Sequence, residues 1–211
     1  RESIQLASLQ EYLDFRRIPM DIANRFCREV DFDLYEKKYT VIGFPNRAGW
    51  YELRSATFKG SRSPKEVTLF GKDLSKEIIV FEGFMDFLSY QVIYQRKFIM
   101  LPKQQPNFLI LNSIGFFEKM KERLQKYPSI HLYLDRDNKG LAVTKEVLTI
   151  SQKYHDKSYL YKNHKDLNEY LMKVHLEVKQ SQRRGMRLWI FRSQLCFGFT
   201  ETAGFIHAAH S

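Results

Sequence analysis

Apolar residues recur at near-helical intervals in the first 30 residues of the chain, and proline interrupts the pattern at position 19. Because proline ends or kinks a helix, this pattern predicts two short helices joined by a turn. The apolar positions are Leu9, Leu13, Ile18, Ile22, Phe26 and Val30. Two runs rich in aromatic and β-branched residues follow at 39–44 and 49–54, and they predict a β-hairpin around Pro45 to Ala48.

After Gly71, strand-like apolar runs alternate with amphipathic segments of helical length. This alternation is typical of βαβ units around a parallel sheet, so we predict an α/β fold. The predicted strands are 77–81, 108–111, 130–134 and 158–161, and the predicted helices are 84–95, 115–126, 140–154 and 166–179. We expect three parts: a basic α+β amino-terminal subdomain at 1–75, a sheet domain at 76–180, and a tail of unknown role at 181–211.

The charge balance favours a polyanionic partner. The chain has 34 Lys and Arg against 24 Asp and Glu, a formal net charge of +10. Such an excess attracts nucleic acid, although an ordinary basic surface gives the same total. Cys27 and Cys196 are the only cysteines and lie far apart, so we expect neither a disulfide nor a zinc site within this chain. With no signal peptide and no long apolar run, we expect a cytoplasmic protein without a membrane partner, and the start at Arg1 indicates a fragment of a longer one.

Acidic residues stand directly after the predicted strands. Glu82 follows the first, with Asp86 four residues later; Asp135 and Asp137 follow the third; Asp166 follows the fourth. Since ligands of parallel α/β sheets bind at the carboxyl ends of the strands, these side chains should share one crevice. Each pattern alone also fits an ordinary turn, loop or helix cap. Together, clustered carboxylates repel one another unless a divalent cation neutralises them, and oxygen ligands favour Mg²⁺ or Mn²⁺ over zinc.

The pattern Glu82-Gly83-x-x-Asp86 followed by Asp135-x-Asp137-x-x-Gly140 resembles the Toprim signature of DnaG-type primases, topoisomerases, OLD-family nucleases and RecR-like repair proteins. The resemblance covers roughly residues 76–178. Within that superfamily, the element from Lys165 to Leu171 is similar to the one that follows the last Toprim strand in primases. Upstream segments resemble the amino-terminal subdomain of the primase core, namely Tyr12-Leu13 to Ile18-Pro19, Ile42 to Pro45, Arg54, and Ser63-Pro64-Lys65. The chain is most similar to the primase-like proteins of bacterial plasmids and mobilizable elements.

The resemblance implies a nucleotidyltransferase that makes primers on a single-stranded DNA template. Asp135 and Asp137 would then hold Mg²⁺ or Mn²⁺, with Asp86 and Asp166 assisting directly or through water. Glu82 would be a further ligand or the general acid/base at the reacting hydroxyl. The implied reaction is attack of a 3′-hydroxyl on a nucleoside triphosphate with release of pyrophosphate.

A positive track for the template or the triphosphate is expected from basic residues near the hairpin and after the acidic pair, with Trp50 and Tyr51 available to stack on bases. Its members are Arg47, Arg54, Lys59, Arg62, Lys65 and Lys139. The alternative is a solvated basic loop. We expect Asn112 and Ser113 to cap the following helix, with phosphate binding as the alternative.

The expected partners are single-stranded DNA, nucleoside triphosphates, and an upstream zinc-ribbon domain or a helicase. Two other functions remain open at this point. The same carboxylates would serve a Toprim nuclease, or the chain would be a non-catalytic single-strand DNA-binding accessory module in plasmid mobilisation. A topoisomerase is disfavoured because the sequence offers no separate domain for a nucleophilic tyrosine.

Overall fold

A computed structural model describes residues 1–71, 75–95 and 105–174. Within it, Arg1–Lys173 forms one compact unit that contains two β-sheets. The predicted tail at 181–211 lies outside the described residues, and the predicted boundaries at 75 and 180 stay predictions. None of the helices in the described part of the chain is long and apolar enough to cross a membrane.

The amino-terminal region begins with the predicted pair of helices, α1 (Ala7–Phe15) and α2 (Met20–Phe26). Four antiparallel strands follow in the spatial order β1-β2-β3-β4, and β2 with β3 forms the predicted hairpin. The strands are β1 (Arg28–Leu34), β2 (Lys37–Pro45), β3 (Tyr51–Arg54) and β4 (Lys59–Ser61). The sequence-based prediction did not include β1 and β4. From Glu29 to Leu34, charged and apolar residues alternate strictly, which is the signal of a half-buried strand.

The register of this first sheet decides which polar side chains face inward. Phe44 on β2 pairs with Glu52 on β3, and Ile42 pairs with Arg54. Directly paired residues lie on the same face of a sheet, so Glu52 and Arg54 share the face of two fully buried apolar residues. On the far side of β3, Lys59 of β4 pairs with Arg54 and therefore lies on that face too.

The second sheet has five strands in the order β5-β7-β6-β8-β9, and every neighbouring pair is parallel except β5 with β7. The predicted α/β fold is confirmed, with one antiparallel strand at the edge. The strands are β5 (Thr68–Phe70), β6 (Glu77–Phe81), β7 (Asn107–Ile110), β8 (Ser129–Tyr133) and β9 (Tyr154–Asp156). The helices are α3 (Phe84–Gln95), α4 (Phe117–Leu124), α5 (Asn138–Ile150) and α6 (residues 167–174), with 3₁₀ turns at Ile114–Phe116 and Ser158–Tyr161.

The prediction of a fourth strand at 158–161 is wrong. That segment is a 3₁₀ turn, and the last strand of the sheet lies earlier, at Tyr154–Asp156. The Asp156 side chain accepts a hydrogen bond from the Ser158 backbone N–H (2.7 Å), and the Tyr161 hydroxyl donates to the Leu134 carbonyl (2.9 Å). These bonds fold an apolar run into a turn. Helix α5 accordingly ends at Ile150 rather than at residue 154.

Apolar clusters cover both faces of the second sheet. Ile79 and Phe81 point into a cluster with α1, α2 and α3, while Ile78 and Val80 point into a cluster with α4 and α5. In the first cluster, Phe44 of the amino-terminal sheet stacks on Phe84 at the start of α3, with ring centroids 4.9 Å apart. Cys27 is fully buried there. This packing brings β3 and β4 to the carboxyl end of β6.

Candidate metal and nucleotide site

The carboxyl ends of β6, β7 and β8 open onto a cavity of about 550 Å³. One wall is acidic and comes from the second sheet and its helices, with Glu82, Asp86, Asp135 and Asp166. The opposite wall is basic and comes from the amino-terminal region, with Arg16, Arg54, Lys59 and Lys65; Lys165, the residue before Asp166, also lines the cavity. The structure thus brings four of the five predicted carboxylates to one cavity, while Asp137 is exposed and does not line it. The catalytic and metal-binding roles assigned to all five stay predictions.

The five predicted carboxylates form two groups that share one member. Oxygens of Glu82, Asp135 and Asp137 lie within 4.8 Å of one another, and so do oxygens of Asp86, Asp135 and Asp166. Asp135 lies two residues after the end of β8 and belongs to both groups. The arrangement offers two adjacent places for a cation, both made only of carboxylate oxygens.

Local structure fixes two of these carboxylates at the start of helices. Asp137 is the N-cap of α5, and its Oδ1 accepts the backbone N–H groups of Lys139 and Gly140, each at 3.0 Å. Asp166 caps α6, because its Oδ1 accepts the Glu169 N–H at 2.7 Å. A capping oxygen is held in place by the helix, which leaves the second oxygen of each carboxylate available to a cation.

Close packing explains why glycine occupies position 140 in the Asp-x-Asp-x-x-Gly pattern. A Cβ built at this position would collide with the carbonyl oxygen of Asp135 and lie 3.0 Å from its carbonyl carbon. The backbone of α5 therefore approaches the acidic turn so closely that a side chain at position 140 would displace Asp135. The glycine keeps the central carboxylate of both groups in its place.

Burial and mutual repulsion raise the pKa of three carboxylates. Burial, with the charges of Glu82 and Asp166, raises the pKa of Asp135 from 3.8 to about 7. The pKa of Glu82 is raised by burial and by Asp137. The pKa of Asp86 lies well above its ordinary value because the residue is buried beside Asp166 and Asp135. Such a cluster holds protons unless a cation replaces them.

The donor set fits a divalent cation. The Glu82 Oε2 is buried and has no hydrogen-bond partner within residues 1–71, 75–95 and 105–174. A buried carboxylate oxygen without a donor is costly, and a metal ion would satisfy it. Groups made only of carboxylate oxygens suit Mg²⁺ or Mn²⁺.

The basic wall faces the acidic one directly. Burial lowers the pKa of the Arg54 guanidinium, and the charges of Asp86 and Asp166 act in the opposite direction, as expected for groups that face each other. The charge of Lys59 likewise offsets part of the rise in the Glu82 pKa. Arg16 belongs to this wall although it was not among the residues predicted from the sequence. Its only sequence signal was its place at the end of the first helix, in the segment that resembles primases.

Three predicted members of the positive track do not line the cavity: Arg47, Arg62 and Lys139. The Arg62 guanidinium instead lies over the Trp50 ring, 5.4 Å from its centroid. Lys65 does line the cavity, with its Nζ 3.7 Å from the buried Glu52 carboxylate. The structure thus brings Arg54, Lys59 and Lys65 together and leaves the other three elsewhere. Their predicted role in binding nucleic acid stays a prediction.

Asn112 and Ser113 line the cavity at the end of β7. The expectation that they cap the next helix fails at Ser113, whose side chain makes no capping hydrogen bond to the 3₁₀ turn that follows. Asn112 has a positive φ of 61° and donates its side-chain amide to the Glu66 carbonyl at 2.8 Å. The amide of Asn112 therefore fixes the turn instead of capping a helix.

Comparison with known proteins supports the resemblance drawn from the sequence. A family model described as Toprim-like matches residues 79–171, and one described as a domain of unknown function (DUF8464) matches residues 1–63. A search of curated proteins gave no match. The chain carries a Toprim-like domain; its affinity to plasmid and mobilizable-element proteins stays a prediction.

Two solved structures share the fold. The primase fragment of the bacteriophage T7 primase-helicase protein is 20% identical with a TM-score of 0.51, over 83% of this chain and 72% of that chain. A chain in the structure of the bacteriophage T7 lagging-strand DNA polymerase interacting with primase domains of two gp4 subunits bound to an RNA/DNA hybrid and dTTP is 18% identical with a TM-score of 0.50. That match spans 82% of this chain and 88% of the other. At these identities the likeness shows a common fold.

Proposed function

We propose that this chain, with its Toprim-like domain at residues 79–171, is a primase-like nucleotidyltransferase core that makes primers on single-stranded DNA with Mg²⁺. The observation that carries the proposal is the pair of carboxylate groups sharing Asp135, faced by Arg54 and Lys59 across one cavity. Phosphoryl transfer needs this combination, because the acidic wall can bind cations while the basic wall can bind phosphate oxygens.

Each wall has a distinct task in the proposed reaction. Glu82, Asp135 and Asp137 would hold one cation, and Asp86 with Asp166 would complete a second place beside Asp135. A bound divalent cation supplies positive charge that stabilises the phosphates as negative charge develops on the leaving group. Arg54, Lys59 and Lys165 would bind the triphosphate and orient its α-phosphorus toward the primer.

The chemical step forms one bond and breaks one. The 3′-hydroxyl oxygen of the primer attacks the α-phosphorus, the bond from that phosphorus to the bridging oxygen of the leaving group breaks, and pyrophosphate departs. The hydroxyl proton must be accepted as the new bond forms. Glu82 stands at the edge of the first group with an unpartnered buried oxygen, so we assign it as that acceptor when it does not itself bind the cation.

The fold of the T7 primase fragment supports a primase over other Toprim enzymes, because the likeness spans 83% of this chain and so includes the amino-terminal region as well. The finer parts of the proposal follow from the sequence resemblance: nucleoside triphosphates and single-stranded DNA as substrates, an upstream zinc-ribbon domain or a helicase as partner, and a cytoplasmic location. The three-part division at residues 75 and 180 belongs to the proposal too.

The test is primer synthesis on single-stranded DNA with labelled nucleoside triphosphates and Mg²⁺ or Mn²⁺. The site variant is Asp135→Asn/Asp137→Asn. The chain offers a matched control in a second Asp-x-Asp pair on β1, changed as Asp31→Asn/Asp33→Asn, whose members are exposed and do not line the cavity. We expect metal-dependent products from the wild type and the control, and none from the site variant.

Other outcomes of the same assay would overturn the proposal in different ways. Degraded template, lost in the site variant, would identify a nuclease. DNA binding without any reaction, equal in all three proteins, would indicate an accessory module. Products that persist in the site variant would remove the carboxylates from the mechanism.

A further inference from the structure

Asn168 is a fully buried residue at which three separate parts of the chain meet. Its backbone N–H donates to Asp86 Oδ1 at 3.2 Å, so the first turn of α6 holds a carboxylate of the acidic wall. Its side-chain Nδ2 donates to Ser89 Oγ at 2.8 Å and to the Arg16 carbonyl oxygen at 3.0 Å. The backbone of Asn168 thus serves the acidic wall, while its side chain reaches the loop after α1.

The end of α1 explains why the Arg16 carbonyl needs a donor. Arg17 has a positive φ of 61°, its N–H bonds to the Asp14 carbonyl at 2.9 Å, and the Ile18 N–H bonds to the Leu13 carbonyl at 2.9 Å. This is the Schellman arrangement that ends many helices. The carbonyls of the last turn have no partner inside a helix, and Asn168 supplies the donor for the one at Arg16.

The backbone of Arg16 is held by Asn168, and the Arg16 side chain lines the cavity. Its guanidinium lies 5.9 Å from the centroid of the Tyr12 ring, and its Nε is buried without a hydrogen-bond partner in the described part of the chain. A buried guanidinium nitrogen without an acceptor is poised for an anion. The positive charge of Arg16 offsets part of the rise in the Asp86 pKa, as expected for two groups that lie near each other.

We propose that Asn168 is a positioning residue that holds the loop after α1 so that Arg16 binds a phosphate group of the nucleoside triphosphate beside Asp86. The inference rests on the proposed function, since it assumes a triphosphate in this cavity. It assigns to Arg16 a task that the sequence did not suggest, and to Asn168 the link between the amino-terminal region and the acidic wall. Asn168 touches neither substrate nor metal and acts through Arg16.

The two sets of hydrogen bonds separate under mutation. Asn168→Ala removes both bonds of Nδ2 but keeps the backbone N–H that holds Asp86. Metal binding should therefore persist while triphosphate binding weakens. A substitution that only loosened the fold would weaken both. This split distinguishes positioning of Arg16 from a general structural role.

The experiment measures binding to the full 211-residue chain, with Mn²⁺ alone by electron paramagnetic resonance and with ATP in the presence of Mg²⁺ by calorimetry. The variants are Asn168→Ala, Arg16→Ala and the double variant, with Asn168→Ser as a milder replacement whose hydroxyl is too short to reach the Arg16 carbonyl. The matched control is Asn107→Ala, another buried asparagine, whose Nδ2 donates to the Tyr127 hydroxyl at 2.9 Å in the opposite core cluster.

We expect Asn168→Ala and Asn168→Ser to weaken ATP binding on the order of fivefold, which is the effect of losing the hydrogen bond to the Arg16 carbonyl. The affinity for Mn²⁺ should stay within about twofold of wild type. The double variant should bind ATP no more weakly than Arg16→Ala alone, because Asn168 acts through Arg16. Asn107→Ala should bind both as wild type does.

The proposal is overturned if the losses in the double variant add in full, if Mn²⁺ affinity falls together with ATP affinity, or if the control variant shows the same loss. A wild-type chain that binds Mn²⁺ but no ATP overturns it as well. These results are independent of primer synthesis. If the chain makes primers but the losses of ATP affinity in the double variant are additive, only the role of Asn168 is refuted. If the double variant binds ATP as Arg16→Ala does but the chain makes no primers, only the proposed function is refuted.

Discussion

Replacing Asp135 by asparagine should stabilise the metal-free protein at pH 8, although it removes the central carboxylate of both groups. Asp135 is packed among Glu82, Asp137, Asp86 and Asp166. Without a cation, ionised carboxylates at this distance repel one another and lose hydration. Asparagine has nearly the same shape and carries no charge, so the Asp135→Asn variant avoids this cost.

The pKa of Asp135 sets the size and sign of the effect. Its carboxyl keeps its proton in the folded protein up to about pH 7, whereas its ordinary pKa is 3.8. A raised pKa means that the contribution to stability is complete below about pH 4 and is lost as the pH rises to about 7. The rise corresponds to about 4 kcal/mol as an upper bound. Solvent screening at this partly exposed group reduces that to about 2 kcal/mol, or roughly 4–8 °C in Tm for a chain of this length.

The assay is thermal unfolding of wild type and Asp135→Asn in EDTA at pH 4.5 and pH 8, repeated with Mg²⁺. We expect similar melting temperatures at pH 4.5 and a higher one for the variant at pH 8. Saturating Mg²⁺ should reverse the order at pH 8, because wild type gains about 2.7 kcal/mol at a hundred times the Kd and the variant has lost a shared ligand. The exposed Asp33→Asn should match wild type throughout. A variant that melts at or below wild type in EDTA at pH 8 would refute the reasoning.

Three further outcomes are expected. Gly140→Ala should lower the free energy of unfolding by more than about 2 kcal/mol in urea titrations, because the new Cβ meets the backbone of Asp135 rather than a movable side chain; a loss below about 0.5 kcal/mol would contradict the close approach. Arg54→Ala should weaken ATP binding about tenfold in calorimetry, since it removes a partly buried cation facing the acidic wall; unchanged affinity would place the triphosphate elsewhere. His131, whose pKa burial lowers to about 4, should show no titration above about pH 5 in NMR spectra, and a midpoint above about pH 6 would contradict its burial.

Local sequence pattern predicted several elements. Helical spacing of apolar residues predicted the pair α1 and α2, and runs of apolar, aromatic and β-branched residues predicted the hairpin of β2 and β3 and the parallel strands at 77–81 and 130–134, whose sheet is buried on both faces. The acidic residues after those strands met at one edge because parallel strands end on the same side. The acidic part of the candidate site could therefore be predicted from the local sequence pattern and the parallel topology of the sheet.

Other features depend on contacts that no local pattern contains. The run Ser158–Tyr161 has the composition of a strand, yet hydrogen bonds to Asp156 and Leu134 make it a turn. Arg16 enters the cavity from a loop whose carbonyl is held by Asn168, 152 positions later in the chain. In the sequence, Arg16 and Asn168 do not differ in type or spacing from ordinary surface residues. Only the folded structure therefore reveals the hydrogen bond between them.

The distance between the two walls of the cavity is set by apolar packing rather than by the charges themselves. Arg54 lies one strand away from Ile42, on the face of the first sheet that also carries Phe44. Phe44 in turn stacks on Phe84, two residues after Glu82. The same core cluster thus supports a residue beside the basic wall and a residue beside the acidic wall. Packed side chains tolerate little displacement. The basic side chains are therefore held at a fixed distance from the carboxylates of the acidic wall and, within the described residues, do not form direct ion pairs with them. The space that remains between the walls is what a metal-bound triphosphate would fill, and the amino-terminal region is needed to create it.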